Sequence, residues 1–146
     1  MKHRAYILST AFHETAATMQ PIMERGGPKY LSKYEPGTKL GKALGNTLPG
    51  DGVRFAGRGY VQLTGRRNYA KASSQVGVDL LAHPENAMDP PIAAMIIVKG
   101  MSQGWFAGKK MADYTDYRNM RRVVNGTDCA AKIAAYADKF EAALKP

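Results

Sequence analysis

Apolar side chains near the start of the chain recur at spacings of mostly three and four residues, the pattern of a helix with one buried face. These side chains are Tyr6, Ile7, Leu8, Ala11 and Phe12. The pattern predicts a first helix from about Lys2 to Ala17.

Glycine and proline interrupt every regular pattern between residues 20 and 58, which predicts a long and mostly irregular segment. Residues 58–64 are then predicted to be extended, and Thr64 is predicted to cap a helix that ends near Val76. The apolar run from Ile92 to about Gln103 predicts a further helix, which begins after an aspartate and two prolines.

Two more helices are predicted in the last part of the chain. One runs from Tyr114 to Val124, and the other, capped by Asp128, ends at Leu144. Cys129 is expected to be a small buried residue of this last helix. The pattern therefore predicts a mainly α-helical fold with a long loop region and little or no β-structure, in a single domain over residues 1–146.

The amino-acid composition indicates which classes of molecule the protein is expected to bind. The chain carries 21 basic and 12 acidic residues, a formal net charge of +9, which favours anionic polymers. The basic residues are scattered and form no known nucleic-acid-binding motif, so specific nucleic-acid binding is not expected. No apolar stretch has the length of a membrane span, so membrane insertion is not expected either. Three histidines and one cysteine have no metal-ligand spacing, and neither a metal nor another cofactor is predicted.

The tripeptide His13-Glu14-Thr15 lies near the end of the first predicted helix. A helix is a rigid support, and apolar surroundings favour the protonated form of a carboxyl group. Glu14 is therefore predicted to be a proton donor, the general acid of a glycosidase. The zinc motif His-Glu-x-x-His is excluded because position 17 is Ala17.

Four further motifs follow in order along the chain. They are Gly50-Asp51-Gly52-Val53-Arg54-Phe55, Gly57-Arg58-Gly59-Tyr60-Val61-Gln62-Leu63-Thr64, Arg66-Arg67-Asn68-Tyr69 and Arg121-Arg122-Val123-Val124-Asn125-Gly126. Together with His13-Glu14-Thr15, this series resembles the family 19 glycoside hydrolases, the group of chitinases and phage endolysins. The resemblance covers most of the chain. It implies a lysozyme-like helical domain with an inverting mechanism, in which two carboxylates lie about 6.5–9.5 Å apart.

The resemblance also implies roles for individual residues. Glu14 is the acid, and Glu24 is the expected base, with Glu35 as the alternative second acid and Asp51 as a third candidate. Thr64 is expected to position the attacking water. The predicted substrate-binding residues are Gln62, Asn68, Tyr60, Asn125, His13 and Arg122. Arg58 and Arg122 are candidates to pair with the catalytic carboxylates.

The expected function is that of an endolysin, a lysozyme-type enzyme that hydrolyses the β-1,4 bonds of bacterial peptidoglycan. The alternatives are a chitinase and, in another class, a catalytically inactive module that binds cell walls. No signal peptide is recognised in the sequence. The resemblance to phage endolysins implies a monomer that is made in the host cytoplasm and acts on the cell wall after release.

Overall fold

Helices account for most of the regular structure. The computed structural model describes residues 1–146. The α-helices are α1 Lys2–Glu14, α2 Pro28–Leu31, α3 Lys39–Ala43, α4 Asp51–Arg54, α5 Arg66–Val76, α6 Pro90–Gln103, α7 Tyr117–Met120 and α8 Ala130–Leu144. Single turns of 3-10 helix cover Ser32–Tyr34, Pro84–Met88, Met111–Asp113 and Arg121–Val123. Strands β1 Ile22–Met23 and β2 Arg58–Gly59 form one antiparallel sheet. The predicted mainly α-helical fold is confirmed.

The chain divides into two compact units. The first comprises residues 1–19 and 97–146, and the second comprises residues 20–96. The single domain predicted over residues 1–146 stays a prediction. No helix has the length and apolar character that a membrane span requires.

The first unit is built on the packing of α1 against α8. Tyr6 of α1 stacks on Tyr117 with ring centroids 5.8 Å apart, and Phe12 meets the ring of Tyr136 edge-on at 5.0 Å. Small buried side chains of α1, among them Ala5 and Ser9, allow close approach of the helices. This packing supports the whole length of α1, including its last residue, Glu14.

Helix α1 ends three residues earlier than predicted. Ala16 and Ala17 have φ angles of +49° and +68°, in the left-handed region that ends a helix. The Thr15 hydroxyl donates to the carbonyl oxygen of Ala11 at 2.7 Å. Glu14 therefore lies at the C-terminal end of α1 rather than within it.

The predicted helix from Tyr114 to Val124 is present only in part, as α7 followed by the 3-10 turn Arg121–Val123. The Asp116 side chain accepts a hydrogen bond from the amide of Asn119 and so starts the short helix α7. Asp128 does not cap α8; the capping position is Cys129, which is exposed and has a φ of +54°. The expectation that Cys129 is buried is therefore also wrong, because the chain turns sharply where the helix begins.

The second unit contains the sheet and helices α2 to α5. Ile22 pairs with Gly59 and Met23 with Arg58, so the segment before Glu24 is tied to the Gly57-Arg58-Gly59 motif. The Tyr69 side chain of α5 is fully buried, and its hydroxyl donates to the carbonyl oxygen of Ala56 at 2.7 Å. Burial raises the pKa of Tyr69 to about 12, so this hydroxyl stays a donor.

The prediction that residues 20–58 are mostly irregular is wrong in part, because α2, α3, α4 and β1 lie in this segment. Each helix has only four or five residues, too few for a hydrophobic period to show. Local signals still start them, since Pro28 opens α2 and Thr38 caps α3 by accepting from the amide of Gly41. Thr64 does not cap α5; that position belongs to Gly65, whose φ is +91°.

The predicted helix after the Asp-Pro-Pro sequence is present as α6. Its first hydrogen bond runs from the amide of Ala93 to the carbonyl oxygen of Asp89 at 2.8 Å. Ala93, Ile96 and Met101 are buried, whereas Met95 and Val98 are exposed. Only one face of α6 therefore belongs to the core.

Candidate active site

Glu14 forms an ion pair inside the first unit. Its Oε1 accepts a hydrogen bond of 2.8 Å from Nη1 of Arg121, whose side chain is only 3% exposed. Nε of Arg121 donates to the carbonyl oxygen of Asp128 at 2.8 Å, which fixes the guanidinium. No hydrogen bond engages Oε2 of Glu14. Oε1 of Glu14 is therefore bound by Arg121, and Oε2 is available to a second hydrogen-bond partner.

The surroundings of Glu14 differ from the apolar setting that the sequence predicts. The guanidinium of Arg121 contacts the carboxylate of Glu14 directly. Arg121, and not the neighbouring exposed Arg122, is therefore the arginine that pairs with a predicted catalytic carboxylate.

Glu24 lies directly after β1 in the second unit, and its side chain is 14% exposed. Its Oε1 accepts a hydrogen bond of 3.0 Å from the hydroxyl of Tyr34, and Nζ of Lys33 lies 3.9 Å from the same oxygen. Its Oε2 accepts from the amide of Gly57 at 3.3 Å. Every one of these neighbours is a hydrogen-bond donor or a cation, so the carboxylate of Glu24 is held at both of its oxygens.

Gly57 brings three predicted site residues together. A Cβ on Gly57 would lie 2.7 Å from Oε1 of Gln62 and 3.1 Å from Oγ1 of Thr64. Besides donating to Glu24, Gly57 accepts a backbone hydrogen bond of 2.7 Å from the amide of Glu24. Glu24, Gln62 and Thr64 are therefore gathered around one glycine, where any larger residue would meet polar side-chain atoms.

Gln62 occupies a strained position in a tight turn. Arg58 and Leu63 exchange two backbone hydrogen bonds of 3.1 and 2.9 Å, and the residues between them reverse the chain. Gln62 has a φ of +59°, which costs a residue with a side chain about 1–2 kcal/mol. Strain of this kind is concentrated at functional sites. The Thr64 hydroxyl donates to the carbonyl oxygen of Gln62 at 2.9 Å and so supports the turn.

The other two candidates for the second carboxylate have structural partners. Glu35 accepts from the amides of Gly50 and Gly52 at 2.8 and 2.9 Å, one bond to each oxygen. Asp51 forms a bidentate pair with Arg66 at 2.7 and 2.8 Å. The hydrogen bonds from Arg66 are the main reason that the pKa of Asp51 is lowered to about 2. Both groups anchor the loop around residues 46–52.

The remaining predicted binding residues lie in different settings. Nδ2 of Asn68 donates to the carbonyl oxygen of Thr64 at 2.8 Å in the first turn of α5, while Tyr60 is half-buried in the turn before Gln62. His13 is half-buried beside Glu14 on α1.

Two predicted binding residues lie in the late asparagine-glycine motif. Asn125 is exposed, and its Oδ1 accepts from the amide of Gly126 at 2.9 Å. Arg122 and Asn125 line a shallow pocket of the first unit, together with Phe106 and Lys109. Their predicted roles stay predictions.

Sequence reasoning missed or misassigned several residues that contact these carboxylates. Arg58, a candidate partner of a carboxylate, instead donates to the hydroxyl of Tyr69 at 2.9 Å and to backbone carbonyl groups. Lys33 and Tyr34 were not predicted as neighbours of Glu24. The only signal in the sequence is the helical spacing of Tyr30, Lys33 and Tyr34, which places them on one side of the turn. No group of three or more histidine, cysteine, aspartate or glutamate side chains is placed to hold a metal ion.

Comparisons with solved structures show that the chain has a known fold. Chitinase C from Streptomyces griseus HUT6037 superposes with a TM-score of 0.70 at 18% sequence identity over 97% of this chain. A glutamate-to-glutamine mutant of chitinase C superposes with a TM-score of 0.72 at 19% identity, again over 97% of this chain. The chain has the chitinase C fold. The lysozyme-like helical fold predicted from the sequence is thereby confirmed.

The extent of the likeness is limited. The chain spans 59% of the first chitinase C chain and 71% of the mutant chain. No protein-family model matches the sequence, and no curated protein does. The phage endolysin branch suggested by the motifs therefore stays a prediction.

Proposed function

We propose that this protein is a glycoside hydrolase that cleaves β-1,4 bonds of bacterial peptidoglycan by an inverting general acid/base mechanism. The observation that carries the proposal is the cluster around Gly57, in which Glu24, Gln62 and Thr64 meet. A carboxylate, a hydroxyl and an amide in one cluster are the groups needed to activate a water and bind a sugar. The chitinase C fold supports the same reaction class.

Glu14 is proposed to be the acid. Arg121 binds Oε1, which orients the carboxyl group and leaves Oε2 to carry the proton. In the reaction, this proton passes to the glycosidic oxygen as the bond between that oxygen and the anomeric carbon breaks. The leaving sugar departs with a free hydroxyl group.

Glu24 is proposed to be the base. It removes a proton from a water whose oxygen forms the new bond to the anomeric carbon, on the face opposite the leaving group. Thr64 donates its proton to the carbonyl oxygen of Gln62, so its oxygen keeps lone pairs that accept a hydrogen bond from this water. The product then has the inverted anomeric configuration.

The net charge of +9 supports peptidoglycan as the substrate, because bacterial envelopes carry carboxylates and phosphates. An endolysin with this charge would accumulate on the wall after its release from the cytoplasm, and it would act there as a monomer. Chitin is the second candidate, which the likeness to chitinase C favours. Both polymers present N-acetylglucosamine in β-1,4 linkage.

Mass spectrometry of the fragments released from purified peptidoglycan tests the proposal, with chitin oligomers in parallel. The wild-type chain is expected to release fragments that end in reducing N-acetylmuramic acid. Glu14→Gln and Glu24→Gln are each expected to lower the rate by about a hundredfold to ten-thousandfold while the fold is retained, because the general acid or the general base is lost. Glu85→Gln, at an exposed site, is the matched control for loss of a carboxylate.

The outcomes separate the candidate functions. Products from chitin alone would make the protein a chitinase. Binding of either polymer without products would favour the inactive wall-binding module. If Glu35→Gln, rather than Glu24→Gln, abolished turnover in a folded protein, the assignment of the base would be wrong. Proton NMR of the first product formed distinguishes inversion from retention.

A further inference from the structure

Resting on the proposed function, we infer that Lys33 and Tyr34 are positioning residues that hold the carboxylate of Glu24 in the orientation of the base. Neither residue belongs to the motifs that suggest the reaction. Both lie in the single turn of 3-10 helix that follows α2, in the same unit as Glu24.

Tyr34 supplies the directional contact. Its hydroxyl donates to Oε1 of Glu24 at 3.0 Å, while the amide of Gly57 donates to Oε2 at 3.3 Å. The two donors bind different oxygens, so together they fix the rotation of the carboxylate. Burial and then the bond to Glu24 raise the pKa of Tyr34, so its hydroxyl keeps its proton at neutral pH.

Lys33 supplies the charge. Its Nζ lies 3.9 Å from Oε1 of Glu24. The ammonium group also lies 3.6 Å from the ring centroid of Tyr30 and 4.8 Å from that of Tyr34. Interaction with the Tyr30 side chain is the main reason that the pKa of Lys33 is raised, so this cation persists at neutral pH.

The turn that carries both residues is anchored at its backbone. Nδ2 of the buried Asn46 donates to the carbonyl oxygen of Tyr34 at 2.8 Å. The Thr38 hydroxyl donates to the carbonyl oxygen of Lys33 at 2.7 Å. Next in the chain, Glu35 binds two loop amides. Lys33 and Tyr34 are therefore presented by a fixed segment rather than by a free loop.

No other charged side chain forms a hydrogen bond or an ion pair with the carboxylate of Glu24. From the paired strand β2, the guanidinium of Arg58 is engaged by Tyr69 and by backbone oxygens. The charged and titratable side chains in contact with Glu24 are thus Lys33 and Tyr34. Removing either one should loosen the orientation of the base while the carboxylate of Glu24 itself is kept.

The test is the steady-state kinetics of hydrolysis, with kcat and KM measured separately, in wild type, Tyr34→Phe and Lys33→Gln. Tyr34→Phe removes only the hydroxyl, and because a hydrogen bond to a carboxylate is lost, kcat is expected to fall about tenfold. KM should change less than about twofold, because the change affects the base and leaves substrate binding intact. Lys33→Gln should lower kcat about threefold, because this ammonium is partly exposed and screened by salt. Lys33→Arg should restore most of that loss.

Two matched controls keep the result specific. Lys29→Gln removes a positive charge from α2, directly before this turn, without a contact to Glu24, and Tyr136→Phe removes a tyrosine hydroxyl in the other unit. Both controls should keep the wild-type kcat and KM, and circular dichroism should show that each variant is folded.

The outcomes distinguish the two levels of the proposal. If the wild-type chain hydrolyses neither polymer, or if Glu24→Gln keeps full activity, the proposed function or its base is wrong and this inference falls with it. If the wild type is active and Glu24→Gln is inactive, but Tyr34→Phe and Lys33→Gln keep the wild-type kcat, the inference alone is overturned.

Discussion

The ion pair between Asp51 and Arg66 makes a quantitative prediction about acid stability. The Asp51 side chain is 2% exposed and accepts hydrogen bonds from Arg66 and from the amides of Thr47 and Leu48. The hydrogen bonds from Arg66 are the main cause that lowers its pKa from 3.8 to about 2. Because the folded state binds the proton more weakly than the unfolded state, Asp51 stabilises the fold above its unfolded pKa.

The size of this effect follows from the two pKa values. At about 1.4 kcal/mol per pH unit, the difference corresponds to about 2 kcal/mol of unfolding free energy, fully present above pH 5. This stabilisation is lost as the pH falls, and less than about 0.5 kcal/mol of it is left at pH 2. Asp51→Asn removes the titration, so the stability gap between wild type and variant should narrow by about 2 kcal/mol between pH 6 and pH 2.

Urea denaturation followed by circular dichroism, repeated across this pH range, measures the gap. Asp138→Asn, at an exposed site in the other unit, should change stability by less than about 0.5 kcal/mol at every pH. A gap for Asp51→Asn that stays constant from pH 6 to pH 2 would refute the reasoning. Loss of turnover in a folded Asp51→Asn protein would instead return Asp51 to the list of candidate bases.

Two further substitutions test the candidate site. Gln62→Gly should stabilise the protein by about 0.5 kcal/mol in a denaturation assay, because glycine accepts the left-handed φ without strain. The same substitution should lower kcat/KM in a hydrolysis assay, because the side-chain amide is lost. Arg121→Met should destabilise the protein by about 3 kcal/mol, because it leaves the carboxylate of Glu14 without its buried partner. The exposed neighbour Arg122→Met should cost less than about 0.5 kcal/mol in the same denaturation assay, and an equal cost for the two variants would contradict the ion pair.

Periodic patterns predicted the longer helices well and the shorter ones poorly. Helices α1, α5, α6 and α8 each have eleven or more residues, and each lies where apolar spacing or a start signal predicts a helix. Helices α2, α3, α4 and α7 have four or five residues and complete little more than one turn. One turn shows no period, so the helices within residues 20–58 were missed and the bounds of the helix predicted from Tyr114 to Val124 were inaccurate.

The sequence by itself determined that the first helix carries Glu14 and that the backbone is extended at Arg58–Gly59, because those features depend on neighbours a few residues away. The tertiary structure decided the electrostatic setting of each carboxylate. Arg121 reaches Glu14 from 107 positions away, and the amide of Gly57 reaches Glu24 across 33 positions. Such pairs form only when distant segments pack together, so periodicity and composition do not predict which donor or cation binds which carboxylate.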